Sequence, residues 1–175
     1  MQKSNFEFLK GVNDFLYAIA RAAEKNYPDD PNTTLVKLRI FGEATAKHLA
    51  KLLDIEVPEN QHELLRELGK IPFVDDSILN VFHKLRKIGN QAVHEYHDDL
   101  QDAEMCLRFA FRLAVWYYRL VTKNYDFPVP HFVLPSSDSG EQFEQEVLSL
   151  KHELALARQS ESQAKEQSKA ELDAQ

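Results

Sequence analysis

Apolar side chains recur at every third or fourth position along most of this chain of 175 residues. That spacing places them on one face of an α-helix, whereas a half-buried β-strand needs a strict alternation of apolar and polar residues. No segment of the sequence shows sustained alternation. The pattern therefore predicts an all-α fold, with a bundle of about five helices over residues 1–124.

Short polar residues mark the expected starts of these helices, because a side-chain oxygen there accepts a hydrogen bond from a free backbone N–H. The residues predicted to cap the five helices are Ser4, Asp30, Asn60, Asp75 or Asp76, and Asp98 or Asp99. Ser4 with Glu7, and Asn60 with Glu63, have the spacing of a reciprocal capping box. Gly69 is expected to end the third helix in a left-handed conformation.

The apolar stripes of the five helices predict which residues form the core. The positions expected to face inward are Phe6, Leu9, Phe15 or Leu16, Ile19 and Ala23, then Leu35, Leu38, Phe41, Thr45, Leu49 and Leu52, then Leu64, Leu65 and Leu68, then Ile78, Phe82, Leu85, Gly89, Ala92 and Tyr96, and finally Leu100, Ala103, Leu107, Ala110, Ala114, Tyr117 and Val121. Cys106 lies in the apolar run of the fifth helix, so we expect it to be a small core residue.

A different composition follows the bundle. Three prolines at 128, 130 and 135 favour an extended, polyproline-like strap, whose aromatic side chains we expect to lie against the bundle. The serines and glycine at 136–140 predict a flexible joint, so strap and joint form a linker over residues 125–140. Over residues 141–175 apolar side chains recur at alternating steps of four and three, at Phe143, Val147, Leu150, Leu154 and Ala157. This rhythm predicts a coiled-coil-like spacer helix that needs a partner.

Charge and cysteine content narrow the class of protein. The net charge of −7 argues against a general affinity for nucleic acid, but it leaves room for a local basic patch. The single cysteine excludes a disulfide within the chain and favours a reducing, cytoplasmic location. No apolar run is long enough to span a membrane, and the N-terminus lacks the apolar core of a signal peptide.

Common catalytic motifs are missing from the sequence. Gly69 and Lys70 are followed by Ile71 and lack the upstream glycine of a phosphate-binding loop. The sequence contains neither the Glu-x-Lys of metal-dependent nucleases nor the Gly-x-Ser-x-Gly of serine hydrolases. His94 and His97 lie three residues apart, but no third metal ligand is indicated. We therefore predict no catalytic residue, cofactor or metal site in this segment.

The segment Leu85–His97 stands out because it places a glycine, an asparagine and two histidines in a helical pattern, where glycine and asparagine cost helix stability. One interpretation is architectural. Gly89 would let a neighbouring helix come close, while Asn90 and His94, four residues apart, would form a polar lock by hydrogen-bonding each other or a neighbouring helix end. A second interpretation is binding, since the nearby cations could contact phosphates or an acidic partner. These cations are His83, Lys84, Arg86 and Lys87.

A third interpretation is catalytic. Asn90 and His94 resemble the Asn-x-x-x-His part of the Arg-Asn-x-x-x-His motif of helical ribonuclease toxins, the HEPN proteins. The position of the motif's arginine is occupied by Gly89. Arg86 and Lys87 are displaced by three and two residues and therefore point to other sides of a helix. This departure argues against RNA cleavage.

Four segments, taken in order, carry a broader resemblance: Asn5–Lys10, Tyr27–Leu35, Phe82–Tyr96 and Leu113–Arg119. Together they closely resemble the N-terminus of the R (restriction) subunit of enterobacterial type I restriction-modification enzymes of the K family. The resemblance runs over most of the chain, up to the first part of the spacer helix. It implies a helical domain related to the HEPN fold, with the nuclease and motor domains further downstream.

The resemblance also implies what the parent subunit does. Such subunits are ATP-dependent DNA translocases and endonucleases that use ATP and Mg²⁺ and cut unmodified foreign DNA, in a complex with methyltransferase and specificity subunits. The present segment is then expected to be a non-catalytic accessory module that docks on this complex or on DNA beside it. An RNA-cutting toxin and a purely structural dimerisation domain remain alternatives.

Overall fold

The computed structural model describes the backbone of residues 3–136 and 138–173, and the side chains of residues 3–136 and 147–165. These parts of the chain contain helices and connecting segments but no β-strand, so the predicted all-α class is confirmed. A 3-10 turn, Glu7–Leu9, precedes helices α1 (Asp14–Asn26), α2 (Pro31–Leu52), α3 (Gln61–Leu68), α4 (Asp76–Glu95), α5 (Leu100–Thr122) and α6 (Asp138–Asp173). The chain divides into two compact units, Met1–Ser137 and Asp138–Gln175.

Four of the predicted helix caps are confirmed. Asp30, Asn60, Asp75 and Asp99 each accept a hydrogen bond from the backbone N–H three residues further on. Such a cap contributes about 1 kcal/mol and depends only on neighbours in the sequence. The predicted left-handed end at Gly69 is wrong, because its φ is −63° and the following residues continue in a right-handed hydrogen-bonded turn.

The predicted start of the first helix at Ser4 is wrong. Residues Glu7–Leu9 form a single 3-10 turn, and α1 begins at Asp14 with the side chain of Asn13 as its cap. Gly11 lies between the two with a φ of +78°. That conformation is accessible to glycine and interrupts a right-handed helix, which explains why the apolar spacing did not produce a continuous one.

A buried carboxylate holds the N-terminal segment in place. Glu24 is 3% exposed and accepts hydrogen bonds from the hydroxyl of Ser4 and from the backbone N and Nδ2 of Asn5, the latter two at 2.9 Å. Burial raises the pKa of Glu24, while the donors of Ser4 and Asn5 act in the opposite direction. Ser4 thus bonds a residue twenty positions away instead of capping a helix.

Helix α2 lies at the centre of the bundle and packs against α1, α3, α4 and α5. It runs antiparallel to α4, because Gly42 packs against Leu85 while Gly89 packs against Arg39, further back along α2. Most of the predicted core residues are buried. The largest side chains with almost no exposure are Tyr117, Phe6, Phe41 and Phe82.

Some predicted core positions are wrong. Leu52, Tyr96 and Leu100 are 55%, 70% and 45% exposed. Each lies at or just beyond a helix end, where the apolar stripe extends past the neighbouring helices. Between the two alternatives in α1, Leu16 is buried and Phe15 is exposed.

Residues 125–136, the predicted strap, form a turn at 125 and 126 and have no regular secondary structure beyond it. The carbonyl oxygen of Phe127 accepts hydrogen bonds from Nε and Nη2 of Arg119 in α5, at 2.9 and 2.5 Å. The ring of Phe132 packs against Phe111, with 5.3 Å between ring centroids. The predicted contact of the strap aromatics with the bundle is confirmed for Phe127 and Phe132 but is wrong for Tyr125, which is 65% exposed.

Asn5 fastens the end of this strap. Its Nδ2 donates to the carbonyl oxygen of Val133, and its Oδ1 accepts from the Val133 N–H, each at 2.8 Å. The same Nδ2 also donates to Glu24. The start of the described chain, α1 and the strap are therefore joined through one asparagine side chain.

Helix α6 forms the second unit and begins at Asp138, three residues before the predicted start at residue 141. The last residues of the predicted flexible joint are therefore helical. Phe143, the first position of the predicted apolar stripe, lies outside the described side chains. Further along the stripe, Val147 is half-buried, whereas Leu150 and Leu154 are 63% and 52% exposed.

Candidate functional site

Helix α4 carries the predicted cations on its outer side. Its buried residues are Ile78, Val81, Phe82, Leu85, Gly89 and Ala92. Lys84 and Lys87 project into solvent, whereas His83 and Arg86 are half-buried at the edge of the helix. These four residues, which lie within two helical turns, are called the cationic face of α4.

The cationic face has no carboxylate beside it on its own helix, whose acidic residues, Asp76 and Glu95, lie at the two ends. The sequence from 77 to 94 contains no Asp or Glu, although the whole chain has 28 acidic residues. Lys84, Arg86 and Lys87 form no ion pair with any described residue. By contrast, Lys10 lies 2.8 Å from the carboxylate of the glutamate three positions before it. The positive charge of this face is therefore available to an external anion.

One donor of the cationic face is buried without an acceptor. Nε of Arg86 is inaccessible to solvent and has no hydrogen-bond partner among the described residues. A buried donor left unsatisfied costs about 1–3 kcal/mol, and more when it belongs to a charged group. A planar guanidinium matches a phosphate or carboxylate group in a bidentate arrangement.

The pKa of His83 reflects the burial and the positive charges around this residue. Its ring lies 6.1 Å from that of His62 in α3. Burial lowers the pKa of His83, and the positive charges of Arg86, His62 and Lys87 lower it further. The surroundings of His83 therefore disfavour an additional cation, so a bound anion would raise its pKa.

Gly89 lies at the closest approach of α4 to α2. A Cβ atom placed on Gly89 would come within 2.4 Å of Cβ and 2.9 Å of Cγ of Arg39, so the stem of Arg39 crosses α4 at this point. Nη1 of Arg39 then donates to Oδ1 of Asn90 at 3.3 Å. Nε of Arg39 lies 3.2 Å from a carboxylate oxygen of Glu43. The polar contact of Asn90 is thus made with α2.

The predicted Asn90–His94 hydrogen bond is not formed among the described residues, and His94 is exposed. Asn90 is instead engaged by Arg39, which sequence reasoning missed. Gly89 signalled that some side chain crosses α4, but nothing in the sequence indicated which one. His97 has different surroundings from the exposed His94. Its Nε2 lies 2.5 Å from Oδ2 of Asp102 in α5.

Two features are absent from the described residues. No group of three or more His, Cys, Asp or Glu side chains comes together in a way that could hold a metal ion. None of the helices described combines the length and the apolar character needed to cross a membrane.

Comparisons with known proteins show what the chain is similar to. No protein-family model matches it, and no solved structure matches it. The endonuclease subunit of the type I restriction enzyme EcoKI, from Escherichia coli (strain K12), is 71% identical to it over 176 residues. The chain is a relative of the N-terminal region of a type I restriction endonuclease subunit. The match covers all of this chain but 14% of the length of that subunit.

The resemblance to a type I restriction subunit is thereby confirmed along the whole chain. The relation to the HEPN fold stays a prediction, because no solved structure matches. The sequence similarity does not test the roles of individual α4 residues, so these roles stay predictions. Their placement on an unpaired, acid-free helix face is the structural basis on which a function can be proposed.

Proposed function

We propose that this chain is the N-terminal accessory module of a type I restriction enzyme R subunit, and that the cationic face of α4 docks it on DNA beside the complex. The proposal draws on the identity of 71% to such a subunit over the whole chain. It also draws on the two exposed lysines of that face. The module itself carries no step of the cleavage reaction.

The rest of the proposal follows from the family. The whole enzyme would translocate and cut unmodified DNA with ATP and Mg²⁺, supplied and bound by domains downstream of this region. Its partners would be methyltransferase and specificity subunits, and its location would be cytoplasmic. The similarity to a type I restriction endonuclease subunit supports this assignment at the level of the family.

The observation that carries the DNA proposal is the unpaired charge of α4. Cations spread over two turns suit a phosphodiester backbone, which offers a row of anionic oxygens and requires no particular base sequence. Contacts of this kind position a protein on DNA without specifying a sequence. Such a role fits an accessory module in an enzyme whose sequence specificity would lie in another subunit.

Exchanging two lysines for glutamates tests this proposal. The variant Lys84→Glu with Lys87→Glu reverses two exposed charges and leaves the buried side of α4 intact. Its matched control, Lys25→Glu with Lys47→Glu, makes the same change in net charge at exposed positions on α1 and α2. Affinity for a short DNA duplex, followed by fluorescence anisotropy against salt concentration, is the measurement.

We expect the α4 variant to lose affinity and its salt dependence to become shallower. The slope of log K against log salt should fall by about 1.8, from about 0.9 for each lost phosphate contact. The control should retain the slope of the unmodified chain. Equal losses in both variants, or none in either, would refute DNA docking through α4. If the α4 variant loses binding to the partner subunits while its DNA affinity is unchanged, α4 docks on an acidic protein surface instead of on DNA.

RNA cleavage is a second candidate, supported by one observation. Arg39 brings a guanidinium within 3.3 Å of Asn90, next to Gly89, where the ribonuclease motif has its arginine. His94 follows four residues later on the same side of α4. Incubation of the chain with RNA, beside a His94→Ala variant, tests this directly. Cleavage that disappears in the variant would establish this candidate over the accessory role.

A further inference from the structure

Helix α6 exposes an apolar stripe that the helix cannot bury by itself. Leu150 and Leu154 are 63% and 52% exposed, and Val147 and Ala157 continue the same side at steps of three and four residues. An isolated helix gains little from such a stripe, since helices in water are stabilised mainly by packing of their apolar face. In heptad notation Val147 and Leu154 occupy a positions, while Leu150 and Ala157 occupy d positions.

Two of the charges beside this stripe have no partner within their own helix. Lys151 and Glu153 have no oppositely charged residue three or four positions away, which is the spacing of a stabilising pair within a helix. Glu161 and Lys165, further along α6, do have it, with their charged atoms 3.4 Å apart. Lys151 and Glu153 therefore cannot form the ion pair within one helix that Glu161 and Lys165 form.

Charges beside the stripe are complementary between two parallel helices. Glu153 occupies a g position, and Arg158, five residues further on, occupies the next e position. In a parallel, in-register pair, each g position lies beside that e position of the opposite helix, so Glu153 would face Arg158 of a second copy. In the sequence, residues 146 and 151 repeat this Glu-to-cation spacing one heptad earlier.

An antiparallel arrangement would bring like charges together. There g faces g and e faces e across the seam, so glutamate would meet glutamate, and Lys151 or Arg158 would meet another cation. Charges at these positions set the orientation of coiled coils, and like charges placed side by side are destabilising. The charge pattern thus favours a second copy of the same helix in parallel.

We propose that α6 pairs in parallel and in register with α6 of a second copy of this chain, through Val147, Leu150, Leu154 and Ala157. The seam is short, and Glu161 occupies its next a position. The association is therefore weak and reversible. It is independent of DNA docking through α4, because none of its residues belongs to the first unit.

Charge exchange across the seam tests the proposal in the full chain by sedimentation equilibrium. Glu153→Arg and Arg158→Glu should each raise the dissociation constant about tenfold, since each change replaces two attractive contacts of a symmetric dimer by repulsive ones. The double variant should return to within about threefold of the unmodified chain, because the charges are then exchanged across both contacts. Gln159→Glu, on the outer side of the helix, is the control and should leave the dissociation constant unchanged.

Each other outcome overturns the proposal. A full chain that stays monomeric at every accessible concentration removes the pairing altogether. Single variants that associate as tightly as the unmodified chain indicate an antiparallel pair, in which like charges face each other both before and after the exchange. A double variant no tighter than either single variant shows that residues 153 and 158 do not face each other between chains. Helix content, measured by circular dichroism, verifies that each variant remains folded.

Discussion

Replacing Gly89 with alanine perturbs a close contact between α4 and α2. The added methyl group would lie 2.4 Å from Cβ and 2.9 Å from Cγ of Arg39. Cβ of Arg39 is attached directly to the backbone of α2, so a change of rotamer cannot move it away. The two helices must therefore separate, and that displacement also strains the hydrogen bond from Arg39 to Asn90.

The magnitude follows from two opposing effects. Inserting a methyl group into a packed interface costs about 1–3 kcal/mol, and a separation of 2.4 Å places Gly89→Ala in the upper part of that range. Alanine is favoured over glycine within a helix by about 1 kcal/mol. The free energy of unfolding should consequently fall by about 1–2 kcal/mol. With a urea m-value of about 2 kcal/mol/M, the midpoint should fall by about 0.5–1 M.

Gly42→Ala provides a matched control in the same helix pair. A methyl group on Gly42 would meet Leu85 at 3.4 and 3.5 Å, which is ordinary van der Waals contact. Only the helix-propensity gain then remains, so the urea midpoint of this variant should stay constant or rise. Equilibrium unfolding in urea, followed by circular dichroism, compares the two. A Gly89→Ala variant as stable as Gly42→Ala would refute the close contact.

Three further predictions concern other parts of the first unit. Asn5→Ala should accelerate hydrogen exchange at the Val133 N–H, because both hydrogen bonds between these residues are lost; unchanged exchange would show that other contacts hold the strap. NMR titration should give His83 a pKa below its usual value of 6.5 in the folded chain. Folding stability should therefore decrease as the pH falls from 6.5 toward that lowered pKa, because in this range the unfolded chain binds a proton that the folded chain does not. Adding duplex DNA should raise that pKa, and a constant pKa in the bound state would contradict phosphate contact near His83. Cys106 is buried with its pKa raised to about 12, so a thiol reagent at pH 8 should modify it only after unfolding; rapid modification of the native chain would contradict this burial.

The caps show which features of the fold the sequence could predict. Asp30, Asn60, Asp75 and Asp99 bond to an N–H three residues away, so the information needed is contained in four consecutive residues. Ser4 has the same local signature, but its hydroxyl bonds to Glu24 in another helix. A contact across twenty residues depends on how the chain returns to itself, and local spacing does not encode that.

The same distinction applies to the cationic face and its neighbourhood. The position of Gly89 in an apolar stripe predicted a close helix contact, and the contact lies at that residue. The identity of the crossing side chain, Arg39, depends on the antiparallel alignment of α2 with α4 and was not predictable. His94 was one expected partner of Asn90, because the two are four residues apart, and a neighbouring helix end was the other. Arg39 occupies the acceptor of Asn90 instead, so correct spacing alone did not decide the partner.

Both proposed surfaces carry charges that have no oppositely charged partner on their own helix. Lys84 and Lys87 in α4, like Lys151 and Glu153 in α6, have no opposite charge three or four residues away. Exposed ion pairs stabilise a fold by less than about 1 kcal/mol, so their absence costs the isolated chain little. An unpaired charge retains its full field toward a partner, which steers association and fixes orientation more than it adds affinity. The α4 face, with one sign of charge, is therefore suited to a polyanion, and the mixed charges of α6 are suited to a copy of itself.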